Sequence, residues 1–201
     1  MEFRLIYRGP LRSAAGKSSS RAPEKHAIRR YLHPQLKEWW KQNQRLLGDP
    51  EVAANNFDEF GFRFVPVVSA ARSHNCSIDI LFLRRDSPGN LIVSGGDLDN
   101  RISVLFDGLR KPKEHQEVGD AAPGPDENPF FCLLQDDSLI TEVRIVTDRL
   151  LTSPAENEGK HNVELIIQVK TDQDVVRTSD VDEVRDLGMM ALARTPPEVR
   201  F

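Results

Sequence analysis

Apolar residues mark the chain at two periods. Leu98, Ile102, Leu105 and Leu109 recur at i, i+4, i+7 and i+11, one face of a helix over 98–110. Phe3, Leu5 and Tyr7 alternate with polar neighbours in a first strand over 2–8, which Gly9-Pro10 ends. Phe62–Val68 and Ile78–Leu83 read as two strands of a central sheet, and 139–151 and 162–170 as the last two. Pro66 has no N–H for a ladder, so its strand belongs at an edge or a bulge. Residues 23–47 read as one or two helices interrupted at His33-Pro34, with Pro34 starting the second and Leu36, Trp39, Trp40 and Leu47 as its stripe. Trp39 and Trp40 fit core packing or a dimer contact better than stacking on a nucleic-acid base. The class is α+β: a mixed, mainly antiparallel sheet of about five strands packed with helices.

Between these elements lie stretches without a period. Residues 12–22, rich in Ser, Gly, Lys and Arg, form a loop lacking the spacing of a phosphate-binding P-loop. Pro112 to Asn128 is rich in Pro, Gly, Asp and Glu and is expected to be an insertion loop, disordered or ordered by a partner. The expected organisation is one domain over 1–178, with insertions at about 13–56 and 112–134, and a tail over 179–201 that has room for a short helix around 181–192.

Composition adds less. A chain of 201 residues with 39% apolar and 29% charged residues buries a sizeable core. No apolar run approaches a membrane span, and the start lacks an apolar signal region, so the expected place is the cytoplasm. Cys76 and Cys132 are expected free and buried, and the scattered histidines argue against a zinc site. The net charge of −4 is uneven: residues 1–48 carry eleven Lys and Arg against three Glu, or +8, which leaves −12 for the rest. A basic front on an acidic protein suits phosphate, or merely a solvated helix face.

Two acidic runs carry the candidate chemistry, Gly96-Asp97-Leu98-Asp99-Asn100 and Gln135-Asp136-Asp137-Ser138. The first opens the 98–110 helix, where Asp is a favoured cap. Residues two apart in a helix diverge by about 200°. Asp97 and Asp99 therefore share an ion only with Asp97 outside the helix, an entry that Gly95-Gly96 permits. Carboxylates gathered at the ends of neighbouring elements suit Mg²⁺ and metal-assisted phosphodiester hydrolysis. Ordinary capping and turn chemistry accounts for the same residues, and spacing alone leaves both readings open.

The two runs together resemble the signature of the RusA-type Holliday junction resolvases. The matching residues are Asp97-Leu98-Asp99-Asn100, Phe106-Asp107-Gly108-Leu109, and Asp136-Asp137 followed by Val143. The opening strand with Gly9-Pro10 and the closing strand Asn162–Val169 are similar to the family's first and last. The resemblance is specific over roughly 90–147. It implies a Mg²⁺-dependent endonuclease of DNA recombination and repair, acting as a homodimer on four-way junctions. Metal binding falls to Asp97, Asp99 and Asp137, with Asp136 as neighbour, and Asn100 orients the first run. Arg12, Lys17, Arg101, Lys111 and Lys113 are the candidates for phosphate contacts, which would make affinity fall steeply with salt. One departure matters: where the family has a helix Lys four residues after the second Asp, this chain has Ser103. That change motivates a second reading, a catalytically silent scaffold or junction-binding module of the same fold. A nuclease with a different nucleic-acid substrate is a third.

Overall fold

The computed structural model describes residues 1–12, 22–85, 97–152 and 161–173. Lys17 and its loop, the glycines before Asp97, the 181–192 helix and the tail lie outside the described residues. In chain order the elements are β1 (Glu2–Pro10), α1 (Ala22–Gln42), α2 (Gln44–Leu47), α3 (Pro50–Ala54), β2 (Asp58–Glu59), β3 (Phe62–Val68), β4 (His74–Arg84), α4 (Asp97–Leu109), β5 (Phe130–Leu134), β6 (Ile140–Arg149) and β7 (Asn162–Gln173). The class is α+β, but the expected single sheet of about five strands is two sheets. One has the order β1-β7-β4-β6 and the other β2-β3-β5. Pairing is antiparallel except for β4 with β6 and β3 with β5.

The larger sheet buries one face. Leu5 and Tyr7 of β1, Ile78, Ile80 and Phe82 of β4, and Leu165, Ile167 and Val169 of β7 all point into the core. Ile28, Leu32, Leu36 and Trp40 of α1 and the expected stripe of α4 cover them, with Ile102, Leu105 and Leu109 buried. Each large aliphatic side chain so buried contributes about 1.5–3 kcal/mol. Cys76 and Cys132 are free and buried, as expected. Among the described residues no helix is long and apolar enough to cross a membrane.

Three expectations need correction. Pro34 does not break the first helix; α1 runs through it. Buried residues on both sides, Arg29, Leu32 and His33 before it and Leu36 and Trp40 after, hold the helix against the core and outweigh one lost backbone bond. The His33 ring adds an anchor, with Nδ1 accepting from the Phe131 N–H at 2.9 Å and Nε2 facing the Asp126 carbonyl at 3.0 Å. Next, β3 is not in the central sheet. It centres the second one, where Phe62, Phe64 and Phe130 make an aromatic cluster with centroids 5.6 Å apart. Pro66 still sits where the sequence puts it. Since β2 pairs only with Phe62 and Arg63, among the described residues β3 at Pro66 has a strand on one side alone, at Cys132. Last, 112–128 is not disordered within this chain. It holds a 3₁₀ turn at His115–Glu117 and buried Val118, and leads into the wholly buried strand β5.

α1 and α4 cross at Gly108. A Cβ there would lie 2.8 Å from both Cβ and Cγ2 of Ile28, so only glycine allows this approach. Gly108→Ala is expected to destabilise the protein by about 1–3 kcal/mol in urea unfolding. Its cost should shrink in an Ile28→Ala background, and strict additivity of the two changes would refute the contact.

Candidate metal-binding carboxylates

The first acidic run opens α4, which begins at Asp97 itself. The helix thus takes in Asp97, where convergence with Asp99 asked for a residue outside it. Asp99 and Asn100 are exposed, and Leu98 packs on the core. Ser103 is exposed one turn beyond Asp99, on the same side of the helix. This end of α4 is fastened by Arg101, buried at 4% exposure, whose guanidinium donates to the Leu11 carbonyl at the end of β1.

The second run follows β5. Gln135 fixes it, its N–H donating to the Val68 carbonyl and its Oε1 accepting from the Ala70 N–H, each at 2.9 Å. Asp136 then caps the 3₁₀ turn Asp137–Leu139, Oδ1 accepting from the Ser138 N–H at 3.0 Å. Its other oxygen, Oδ2, lies 2.8 Å from Lys113 Nζ, and Asp137 Oδ1 lies 3.0 Å from the same nitrogen. Two carboxylates thus converge on one cation. The bond from Lys113, followed by that from the Ser138 N–H, holds the Asp136 carboxyl far below the usual range. The pair in turn raises the Lys113 ammonium.

The structure brings Asp136 and Asp137 together but does not bring Asp99 to them. The Lys111 N–H donates to the Leu134 carbonyl at 2.8 Å, so the acidic pair lies beside the C-terminal end of α4. Asp99 is near the other end of a helix of 13 residues, about 20 Å long. Among the described residues no three His, Cys, Asp or Glu side chains gather as a metal would need.

The basic residues are mostly engaged. Lys111 pairs with Glu59 at 2.7 Å, over the Phe57 ring. The Arg12 backbone N–H donates to Glu24 Oε1 at 2.7 Å, with the residue itself exposed. The basic front is likewise matched: Arg8 with Glu164, Lys25 with Asp107, Arg29 with Glu117, and Arg30 with Glu127, all within 3.0 Å. Its acidic partners come largely from 107–127, so much of the sequence's charge asymmetry is cancelled in the fold. The linked ions Lys25, Asp107, Arg110, Glu117 and Arg29 were not anticipated. One signal was there: Arg29 stands three and seven residues before Leu32 and Leu36, a cation on an apolar stripe.

No protein-family model, curated protein or solved structure matches the chain.

Proposed function

We propose that this chain is a Mg²⁺-dependent DNA endonuclease of the RusA type, acting on branched DNA. The single observation that carries the reading is the pair Asp136 and Asp137, whose carboxylates meet at one cationic group. It adds to the motif residues Asp97-Leu98-Asp99-Asn100 at the start of α4. The oxygen-only donor set suits a hard divalent ion and disfavours zinc. Asp136 and Asp137 would hold the metal, which when bound polarises a phosphate oxygen and lowers the pKa of its water. Asp136 stays ionised well below neutral pH, so it is ready to ligate without first losing a proton. Lys113 provides beside the acids the positive charge that Ser103 cannot provide from the helix, placed to offset charge building on a phosphate.

The separation of Asp99 from Asp137 by the length of α4 favours the second reading, a binding module without catalysis. One assay separates the two. Synthetic four-way junctions, linear duplex and single strands are incubated with and without Mg²⁺, using wild type, Asp99→Asn and Asp137→Asn. The nuclease reading expects junction-selective, metal-dependent cutting, reduced at least about a hundredfold by Asp137→Asn with binding retained. Junction binding without cutting by wild type establishes the silent module. Cutting of every substrate keeps the metal chemistry and rejects junction selectivity.

A further inference from the structure

Lys25, Arg29 and Arg110 are buried cations, and each has its own carboxylate: Asp107 for Lys25, Glu117 for Arg29, and both for Arg110. Arg72 differs. It ends a 3₁₀ turn, Ala70–Arg72, which is held to β5 by the bond from the Ala70 N–H to Gln135 Oε1. Its guanidinium carbon lies 4.7 Å from the centroid of the Trp40 ring, and Nη2 donates to the Pro66 and Val67 carbonyls. Nε and Nη1 are buried and, among the described residues, have no hydrogen-bond partner. Burial alone lowers the pKa of this group, with no carboxylate near enough to oppose it. A buried guanidinium with spare donors and no acid of its own is suited to an anion from outside the chain.

Arg72 also lines a cavity of about 310 Å³ between the α2–α3 segment and this turn, a volume at the small end for ligand sites. Most of the lining is apolar, from Leu47, Val52, Ala53, Phe57 and Pro66. Ser69 and Asn56 add polar groups, and the Ser69 side chain makes no capping bond to its own turn. Asp49 is on the wall as well. It is exposed and caps α3, with Oδ1 accepting from the Glu51 N–H at 2.9 Å, and it does not neutralise Arg72.

We propose that this cavity binds a small organic monocarboxylate, its carboxylate accepting from the spare Arg72 donors and its apolar body lying against Val52, Ala53 and Phe57. Charge and lining select that class. One cation without an acid matches one negative charge. A phosphate dianion would bring excess charge close to Asp49 and would give up its hydration to apolar walls that return nothing for it. A carboxylate with an apolar body loses less water and gains from burying that body. The cavity is separate from the carboxylates of the nuclease reading, since neither Asp136 nor Asp137 acts on the Arg72 guanidinium. The site therefore stands whether or not the chain cuts DNA.

Titration of the isotope-labelled full chain with sodium benzoate at constant ionic strength, followed by NMR, tests the site. Two resonances report on it: the Arg72 Nε–H, and the Trp40 indole N–H, which donates at 3.2 Å to the carbonyl of Gly48 on the cavity wall. Both should shift and saturate together, with a Kd of about 1 mM or below. Inorganic phosphate at the same ionic strength should bind about tenfold more weakly or worse. Arg72→Met should weaken benzoate binding about tenfold or more, read at the Trp40 indole. Ala53→Leu narrows the cavity with Arg72 in place and should weaken binding as much, so the test stays decisive if Arg72→Met does not fold. A wild type without a saturable shift overturns the proposal. So does phosphate binding as tightly as benzoate, or either variant binding benzoate like wild type.

Discussion

Arg29→Met should cost this protein about 3–5 kcal/mol, the range found when one partner of a buried ion pair is removed. The Arg29 side chain is fully buried. Its Nε donates to the Arg110 carbonyl at 2.8 Å and one Nη to the Asp107 carbonyl at 2.7 Å, which caps the C-terminal end of α4. The same guanidinium reaches the Glu117 carboxylate and, at 3.3 Å, the Glu117 carbonyl. One side chain therefore binds α1 to α4 and to the segment after it. Methionine fills the space but leaves those acceptors short of a donor, since among the described residues Arg110 alone remains on Glu117, at 2.9 Å. Burial lowers the pKa of Arg29 and Glu117 opposes it; a guanidinium stays charged regardless. Arg29→Lys keeps the charge but loses the fork, so it should recover only part of the loss. Urea midpoints measure both variants, and a loss below about 1 kcal/mol for Met would show that the network adds nothing net.

That network explains which parts of the fold were legible. The α4 stripe and the alternation of β1, β4 and β7 are local signals, legible because each element buries one regular face. Residues 112–128 carry no such period. They are ordered by what other elements offer them: Glu117 meets Arg29 and Arg110, Glu127 meets Arg30, and Asp126 meets His33 and Lys37. Apart from Arg110 with Glu117, those contacts span about 90 positions of sequence, and composition does not report them. Pro34 failed as a boundary for the same reason, because tertiary burial on both sides outweighs a local preference. At the site, the sequence marked both acidic runs. Their separation is a matter of topology: β4 and β6 are parallel, so α4 starts at one end of the sheet and finishes near the other, where Asp136 and Asp137 introduce β6. Lys113, two residues beyond Lys111, reaches that pair only because the Lys111 N–H is bonded to the end of β5.

Acid should loosen the protein before its carboxylates titrate, and His26 should be the main cause. The residue is 5% exposed among Phe62 and Phe130, with ring centroids at 5.4 and 6.0 Å. Among the described residues neither ring nitrogen has a hydrogen-bond partner. Burial first, then Arg30 and Arg29 nearby, push its pKa down to about 4, against a weaker opposite pull from Glu127. Above pH 6.5 the ring is neutral folded or unfolded and costs nothing. Below it the unfolded chain takes up a proton that the folded chain refuses, so stability falls as pH falls, until the folded ring also titrates near pH 4. At about 1.36 kcal/mol per pH unit, that interval is worth on the order of 3 kcal/mol. His33, lowered chiefly by burial, adds to the same limb. Asp107 and Asp136 are held below their ordinary values, so their contribution is present above that range and is lost only at still lower pH. Urea unfolding of wild type and His26→Phe at pH 7 and pH 4.5 tests this. The phenyl ring keeps the aromatic packing and takes up no proton, so the variant should lose much less stability on acidification. Equal losses in the two proteins would move the acid sensitivity away from His26.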